Sequence, residues 1–356
     1  MVITHHGCDI RRYREGDEFG IVELINQELN PEYELNVWKW KYKENPINAF
    51  PNTWIAEDKD KIVGHFAINP VMMKWKNIEI LGSQAMGVAT HNNYQRKGIF
   101  KTLAYKVTDE AGKKGIPITY VFPNPNSYPG FIKIGWIHAF SFIVMAKVLN
   151  VKEVSSKFNN NIVIRKILEL GLKGHKFLFE EKSSPSPRDI AIFEVNFFDE
   201  SFDILWKNVS KYYDYLIKRD HKYLFWRYSH QLEHFKIYAL KNNNNLVGYT
   251  TLKCKIFHDI KVGYIYDLFC NPNEDTTIEY LISKAIEHFI EKGMDLVQIC
   301  VLKDHPYYNI CKRLGFLNRS QKPFVLHINV PTYSKNLEEF EDPKRWFLSL
   351  GDLYHD

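Results

Sequence analysis

The chain has 356 residues, 45% of them hydrophobic and 15% aromatic, which is enough apolar material for two packed cores. Its 47 basic side chains exceed its 42 acidic ones by five, a mild positive balance that suits an anionic ligand and does not by itself argue for nucleic acid. Five cysteines without C-x-x-C spacing, no membrane-length apolar run and no signal-peptide core after Met1–His6 lead to the expectation of a cytoplasmic protein with reduced thiols, no bound metal and no membrane partner.

Taken in chain order, Ile10–Asp17 reads as a strand running into an acidic helix start, and Phe19, Ile21, Val22, Leu24 and Ile25 continue the helical pattern. The aromatic segment Trp38-Lys39-Trp40-Lys41-Tyr42 follows, then Asn45-Pro46. Strands Thr53–Glu57 and Ile62–Asn69 flank the turn Asp58–Lys61, and residues 84–90 form a further strand. A helix is predicted over Ile99–Lys113, because Ile99, Leu103, Val107 and Ala111 recur on one face with Phe100 and Ala104 widening the stripe. Strand Ile118–Phe122, a short helix ending at Gly135-Trp136 and strand Ile137–Leu149 close the unit.

The second half repeats this order. Trp40-Lys41-Tyr42 recurs as Trp226-Arg227-Tyr228, Ile62-Val63-Gly64 as Leu246-Val247-Gly248, and Gly135-Trp136 as Gly315-Phe316. The polar segment around Ser183-Ser184-Pro185-Ser186-Pro187 cannot continue a helix or a central strand and separates the copies. Residues 1–150 are therefore expected as one domain, 151–188 as a linker, 189–330 as a second domain and 331–356 as a tail folded back on the domains.

Between strand and helix lies Gln95-Arg96-Lys97-Gly98. The first turn of the following helix carries N–H groups without intrahelical partners at the positive end of its dipole, and Arg96 and Lys97 add cations. Gly98 lets the backbone approach an anion closely, so the segment reads as a pyrophosphate cradle. The corresponding segment of the second half, Asn273-Glu274-Asp275-Thr276-Thr277, has two carboxylates and neither glycine nor cation, and would repel phosphate.

Val88-Ala89-Thr90 followed by Gln95-Arg96-Lys97-Gly98-Ile99-Phe100 resembles the acetyl-CoA-binding motif of the GNAT acyltransferase superfamily, with Phe100 in place of the usual small last residue. The resemblance implies an α/β fold of two tandem GNAT-like domains, each a splayed mixed sheet flanked by helices. It also implies acetyl-CoA as co-substrate. Gln95, Arg96, Lys97, Gly98, Ile99 and Phe100 would then hold the pyrophosphate, Met86, Gly87 and Val88 the pantetheine and thioester, and Asn126 the cofactor arm. Where many relatives carry an acidic Tyr, this chain has Phe131, so Tyr128 becomes the candidate acid. Gln84 stands where relatives often carry a carboxylate base; as an amide it is assigned to substrate binding. Glu79 is a candidate base, with His91 and Glu44 as further possibilities.

The W-x-W-K-Y-x-x-N-P segment is similar to those of tandem acetyltransferases of polysaccharide biosynthesis loci, which makes Trp38 and Glu44 candidate acceptor contacts. The ending W-x-x-x-x-G-D is similar too, and the terminal carboxylate of some tandem relatives reaches the first domain's site, so Asp352 and Asp356 are carried as candidate bases. The expected function is transfer of an acetyl group from acetyl-CoA to a primary amine of a small molecule, such as an amino sugar. FemABX-like aminoacyl transfer and acyl-CoA sensing without turnover are the alternatives.

Overall fold

The computed structural model describes residues 3–5, 7–47, 52–151, 153–154, 190–230, 233–257 and 259–353. They divide into two units, and each is a mixed sheet flanked by helices.

In the first unit, β1 (Ile3–His5), β2 (Cys8–Arg12), β3 (Asn52–Asp58), β4 (Lys61–Trp75) and β5 (Ile78–Thr90) run antiparallel to their neighbours. Next to β5 lies β6 (Ile118–Val121), parallel to it, as expected when a helix makes the crossover. That helix, α3 (Ile99–Lys113), buries Ile99, Leu103, Ala104, Val107 and Ala111, the stripe read from the sequence. With Phe66, Ile68, Ala85, Val121, Phe131 and Trp136 they form the core on one face of the sheet. Helices α1 (Asp17–Glu28) and α2 (Leu35–Lys43) precede β3, and α4 (Tyr128–Lys133) follows β6. Along β4 successive side chains alternate between faces: Phe66 joins the α3 core, whereas His65 packs against Tyr42 of α2.

The second unit contains β8 (Ile190–Glu194), α5 (Ser201–Ser210), β9 (Tyr215–Ile217) and α6 (His221–Tyr228). Then come β10 (Lys236–Asn242), β11 (Asn245–Phe257), β12 (Ile260–Cys270), α7 (Asp275–Glu291), β13 (Leu296–Val301) and α8 (Pro306–Arg313). Strands β8, β10, β11 and β12 are antiparallel in turn, and β13 runs parallel to β12 from Val262/Leu296 to Ile265/Ile299.

Neither sheet is closed by the strand that sequence order suggests. The first is completed by Val325–Ile328 of β14 (Leu317–Ile328), antiparallel to β6, and the second by Ile143–Val148 of β7 (Ile137–Val148), antiparallel to β13. Strand β7 enters the second unit at Ser141, and β14 returns to the first at Pro323. The changes of unit thus fall inside β7 and β14, before the limits at 150 and 330 read from the sequence. Short hydrophobic strands carry no label for the neighbour they will choose.

Of the tail, the residues up to Arg345 belong to the first unit and Trp346–Asp352 to the second. Strand β15 (Trp346–Phe347) lies parallel to β9. Past the last β12–β13 rung, Phe347 and Ser349 help to line a small pocket together with Leu268, Val301, His305 and Tyr307. The Asp352 carboxylate accepts from Arg219 Nη2 at 2.7 Å, and Arg219 Nε donates to Asp267 at 3.1 Å. Tyr249 also donates to Asp267, at 2.8 Å, and the Arg219 guanidinium lies 4.7 Å from the Phe347 ring centroid. Arg219, Asp267 and Asp352 are all buried, and burial pushes the Asp352 carboxyl up against the opposing pull of Arg219.

Candidate active site

Strands β5 and β6 share two rungs, Ser83/Thr119 and Gln84/Tyr120; past Gln84 this pairing stops, and the end of the paired stretch is termed the notch. At its vertex the Tyr120 hydroxyl donates to Gln84 Oε1 at 3.3 Å, with both side chains buried. Within the β5 wall the register against β4 slips: Met86 faces Ala67 and Ala89 faces His65, so Gly87 and Val88 stand against Phe66 alone. This is a β-bulge, and Gly87 adopts φ 59°, a left-handed conformation that glycine accepts at no steric cost. A bulge leaves an extra residue unpaired and takes its backbone groups out of the ladder.

Past Thr90 the chain makes a short turn and enters α3. The turn is braced from within: Gln95 Nε2 donates to Asn92 Oδ1 at 2.8 Å, His91 Nδ1 accepts from the Asn93 amide, and the Tyr94 hydroxyl donates to Asp58 at 2.7 Å. That bond to Asp58 raises the Tyr94 pKa, so the phenol stays protonated. Arg96 and Gly98 are left-handed, at φ 61° and 78°. Gln95, Arg96, Lys97 and Gly98 are all solvent-exposed, and the Lys97 ammonium lies 4.8 Å from the Tyr94 ring centroid. Ile99 anchors the first helical turn in the core at 1% exposure. The opening amides of α3 thus have an anchored helix behind them and an accessible, cationic loop in front.

A profile described as Acetyltransferase (GNAT) domain matches residues 9–139. Those residues are a GNAT acetyltransferase domain, the domain of an acyltransferase enzyme. The fold is similar to that of a GCN5-related N-acetyltransferase from Anabaena variabilis, with TM-score 0.63 and 14% identity over 90% of this chain and 73% of that one. A conserved protein from Enterococcus faecalis described as a probable N-acyltransferase gives TM-score 0.60 at 10% identity, covering 90% of this chain and 72% of its own. Saccharomyces cerevisiae N-myristoyltransferase with bound myristoyl-CoA gives 0.63 at 11% identity, covering 92% and 84%. A search of curated proteins by sequence gives no match.

In the GNAT domain, Met86, Gly87 and Val88 lie on the notch wall and Gln95–Phe100 at the head of α3, all on the segment that runs out of β5. Phe100 points inward. Its ring meets Phe131 edge-on at 5.1 Å and lies above Gly130, where a Cβ would come within 3.2 Å of it. The bulk added at position 100 is accommodated by the missing side chain at 130. Phe131 is core, at 1% exposure. Asn126 is exposed, its amide donating to Asn124 Oδ1 at 3.0 Å in the turn before α4. The half-buried Tyr128 opens α4, with its hydroxyl 3.0 Å from His138 Nδ1.

Other expected residues lie elsewhere. Glu79 is exposed near the start of β5, eight residues from Gly87. At the strand rise this is roughly 26 Å, too far for proton transfer at the bulge. Trp38 is fully buried, stacked on Tyr42 at 5.1 Å and near Tyr13 at 5.6 Å, so it is a core anchor of α2 and not an exposed acceptor wall. Trp40, on the same helix, is buried as well. Glu44 is exposed at the C-cap of α2. Gln84 is 2% exposed and engaged with Tyr120 at the vertex. His91 caps its own turn. Asp352 belongs to the buried Arg219 network, which removes it as a base, and Asp356 lies outside the described residues.

Two side chains that the sequence reading did not single out stand at the bulge. A Cβ on Gly87 would be 2.6 Å from Tyr42 Oη and 2.9 Å from His65 Cε1. His65 Nδ1 is 2.5 Å from the Gly87 carbonyl oxygen. On the same face, Trp38 Nε1 and Asn69 Oδ1 are buried without a hydrogen-bond partner. The nearest signal in the sequence is a polar residue inside an apolar strand, which by itself does not say what it touches. Among the described residues no group of three or more His, Cys, Asp or Glu could hold a metal ion.

Proposed function

We propose that the GNAT domain transfers an acetyl group from acetyl-CoA to a primary amine of a small molecule, with amino sugars as the first acceptor class to test. The observation that carries this reading is the exposed Arg96–Gly98 cradle at the head of α3, continuous with the bulged strand that walls the notch. The cradle fits a pyrophosphate: open amides, a helix dipole and two cations with no carboxylate in the loop itself. In this reading Arg96, Lys97 and Gly98 hold the diphosphate, residues 86–88 the thioester end, Asn126 the arm, and Tyr128, paired with His138, supplies a phenol for the departing sulfur. When bound, acetyl-CoA supplies a thioester. The acyl carbon gains a C–N bond to the amine and loses its C–S bond, and the proton given up by the amine balances the one taken by the thiolate.

The second unit is proposed as a second GNAT-like domain without cofactor, since Glu274 and Asp275 stand at the head of α7 where a phosphate would need cations. A tandem arrangement and a cytoplasmic location belong to the same reading. The buried Phe131 and the amide Gln84 favour a second reading, acyl-CoA sensing without turnover, because neither side chain can move a proton.

The test is thiol release from acetyl-CoA in the presence of a panel of amino sugars, polyamines and amino acids, repeated with longer acyl-CoAs. Release that depends on an amine and is fastest with acetyl-CoA supports the proposal. Tight CoA binding with no release for any amine establishes the sensor, and preference for a long acyl chain overturns the acetyl donor.

A further inference from the structure

We propose that His65 is the positioning residue that sets the Gly87 bulge, with Tyr42 closing the same contact from α2; the catalytic importance of this rests on the acyl-transfer reading above. The bulge interrupts the β4–β5 ladder, and Gly87 alone supplies no force that holds it at φ 59°. His65 supplies one. Gly87 O can only accept, so in this contact Nδ1 carries the proton and donates it, fixing the imidazole tautomer and the carbonyl direction together. Turning that carbonyl toward β4 fixes the peptide plane that follows, and with it the direction of the Val88 N–H.

The contact is boxed in. His65 is 0% exposed, and Tyr42 meets its ring edge-on with centroids 6.1 Å apart. A Cβ at position 87 would lie 2.6 Å from Tyr42 Oη, so only a glycine fits beside α2 there. The fully buried Trp38 stacks on Tyr42 with ring centroids 5.1 Å apart and supports it. The chain of contacts Trp38–Tyr42–Gly87–His65 therefore transmits the packing of α2 and β4 into the geometry of the notch wall. Buried hydrogen bonds of this kind are costly to leave unmade and specify one backbone arrangement.

The experiment compares His65→Asn with His65→Gln and His65→Leu in the full chain. Asparagine places an amide N–H close to where Nδ1 stands, glutamine places it a bond further out, and leucine donates nothing. Hydrogen exchange of the Met86–Ala89 amides reads the bulge directly, and acetyl-CoA affinity and thiol release read its consequence. The expected result is exchange at 86–89 accelerated at least tenfold in the Leu and Gln variants and within threefold of wild type in the Asn variant, with α3 protection unchanged in all three. Turnover follows the same order, with kcat lowered at least tenfold in the Leu and Gln variants while acetyl-CoA affinity stays within threefold. Unchanged exchange at 86–89 in both the Gln and Leu variants, or equal acceleration in all three, overturns the proposal. Should the Leu variant not fold, the Asn and Gln pair carries the comparison. Should wild type release no thiol with any amine, the acyl-transfer reading fails while the exchange data still decide the role of His65.

Discussion

Phe100 and Gly130 are complementary: the ring of the first occupies the space that a side chain on the second would take, at 3.2 Å from an ideal Cβ. This pair explains how the proposed phosphate loop can end in a bulky aromatic. Gly130→Val should push Phe100 from its contact with Phe131 and strain the first turn of α3. Overpacking of this kind costs about 1–3 kcal/mol. A lower urea midpoint, with weakened CoA binding and with recovery when Phe100→Ala is added, is the expected outcome; an unshifted midpoint refutes the pairing.

The exposed cations of the loop make a second prediction. Arg96→Ala combined with Lys97→Ala should weaken acetyl-CoA binding by about tenfold at low salt, and by less as salt rises, because both charges are open to screening. Stability should hardly change, since neither side chain is buried. Isothermal titration at two ionic strengths measures this, and an affinity that does not move removes the phosphate assignment.

Arg219 holds two buried carboxylates, so the order of damage among its neighbours is predictable. Arg219→Met should be the most harmful, because it leaves Asp267 and Asp352 facing each other without a cation; breaking a buried pair costs about 3–5 kcal/mol. Asp352→Asn should be mild by comparison, since burial already favours the uncharged acid and the amide can still accept from Arg219. Denaturant unfolding of the two variants gives the ranking, and Asp352→Asn more damaging than Arg219→Met would contradict the network as described.

His305 predicts how the second unit responds to acid. Its Nδ1 accepts from the Tyr307 amide at 3.3 Å and its Nε2 lies 2.7 Å from the Tyr213 hydroxyl, an arrangement for the neutral ring. Burial lowers its pKa from 6.5 to about 3. Between those values the unfolded chain binds the proton and the folded chain does not, so the contribution is complete above pH 6.5 and is lost as pH falls toward 3. The slope approaches about 1.4 kcal/mol per pH unit. Unfolding free energies measured from pH 7 to 4 should show it, and His305→Asn should flatten it.

What could be read in advance was local. The cradle is a strand, a turn and a helix that are contiguous in sequence, and the periodicity of Ile99, Leu103, Val107 and Ala111 is enough to place it. What escaped depends on partners distant in the chain. Trp38 looks the same in sequence whether it faces a ligand or a core, and only the stacking on Tyr42 decides. Glu79 and Gln84 lie on one strand, yet the notch opens only past the last β5–β6 rung, whose position is set by pairing with residues 119 and 120. His65 is assigned by a glycine carbonyl 22 residues away. The neighbour of β7 was equally invisible, since any apolar strand of its length could have closed the first sheet.

The β7 and β14 arrangement bears on biosynthesis. The place beside β6 is filled by Val325–Ile328, so the GNAT domain of residues 9–139 cannot bury that sheet edge until residues 325–328, translated well after it, have emerged from the ribosome. During that interval the nascent protein carries an unpaired strand border of the kind that chaperones shield. Trimming a gene to its family match would leave the same border permanently bare.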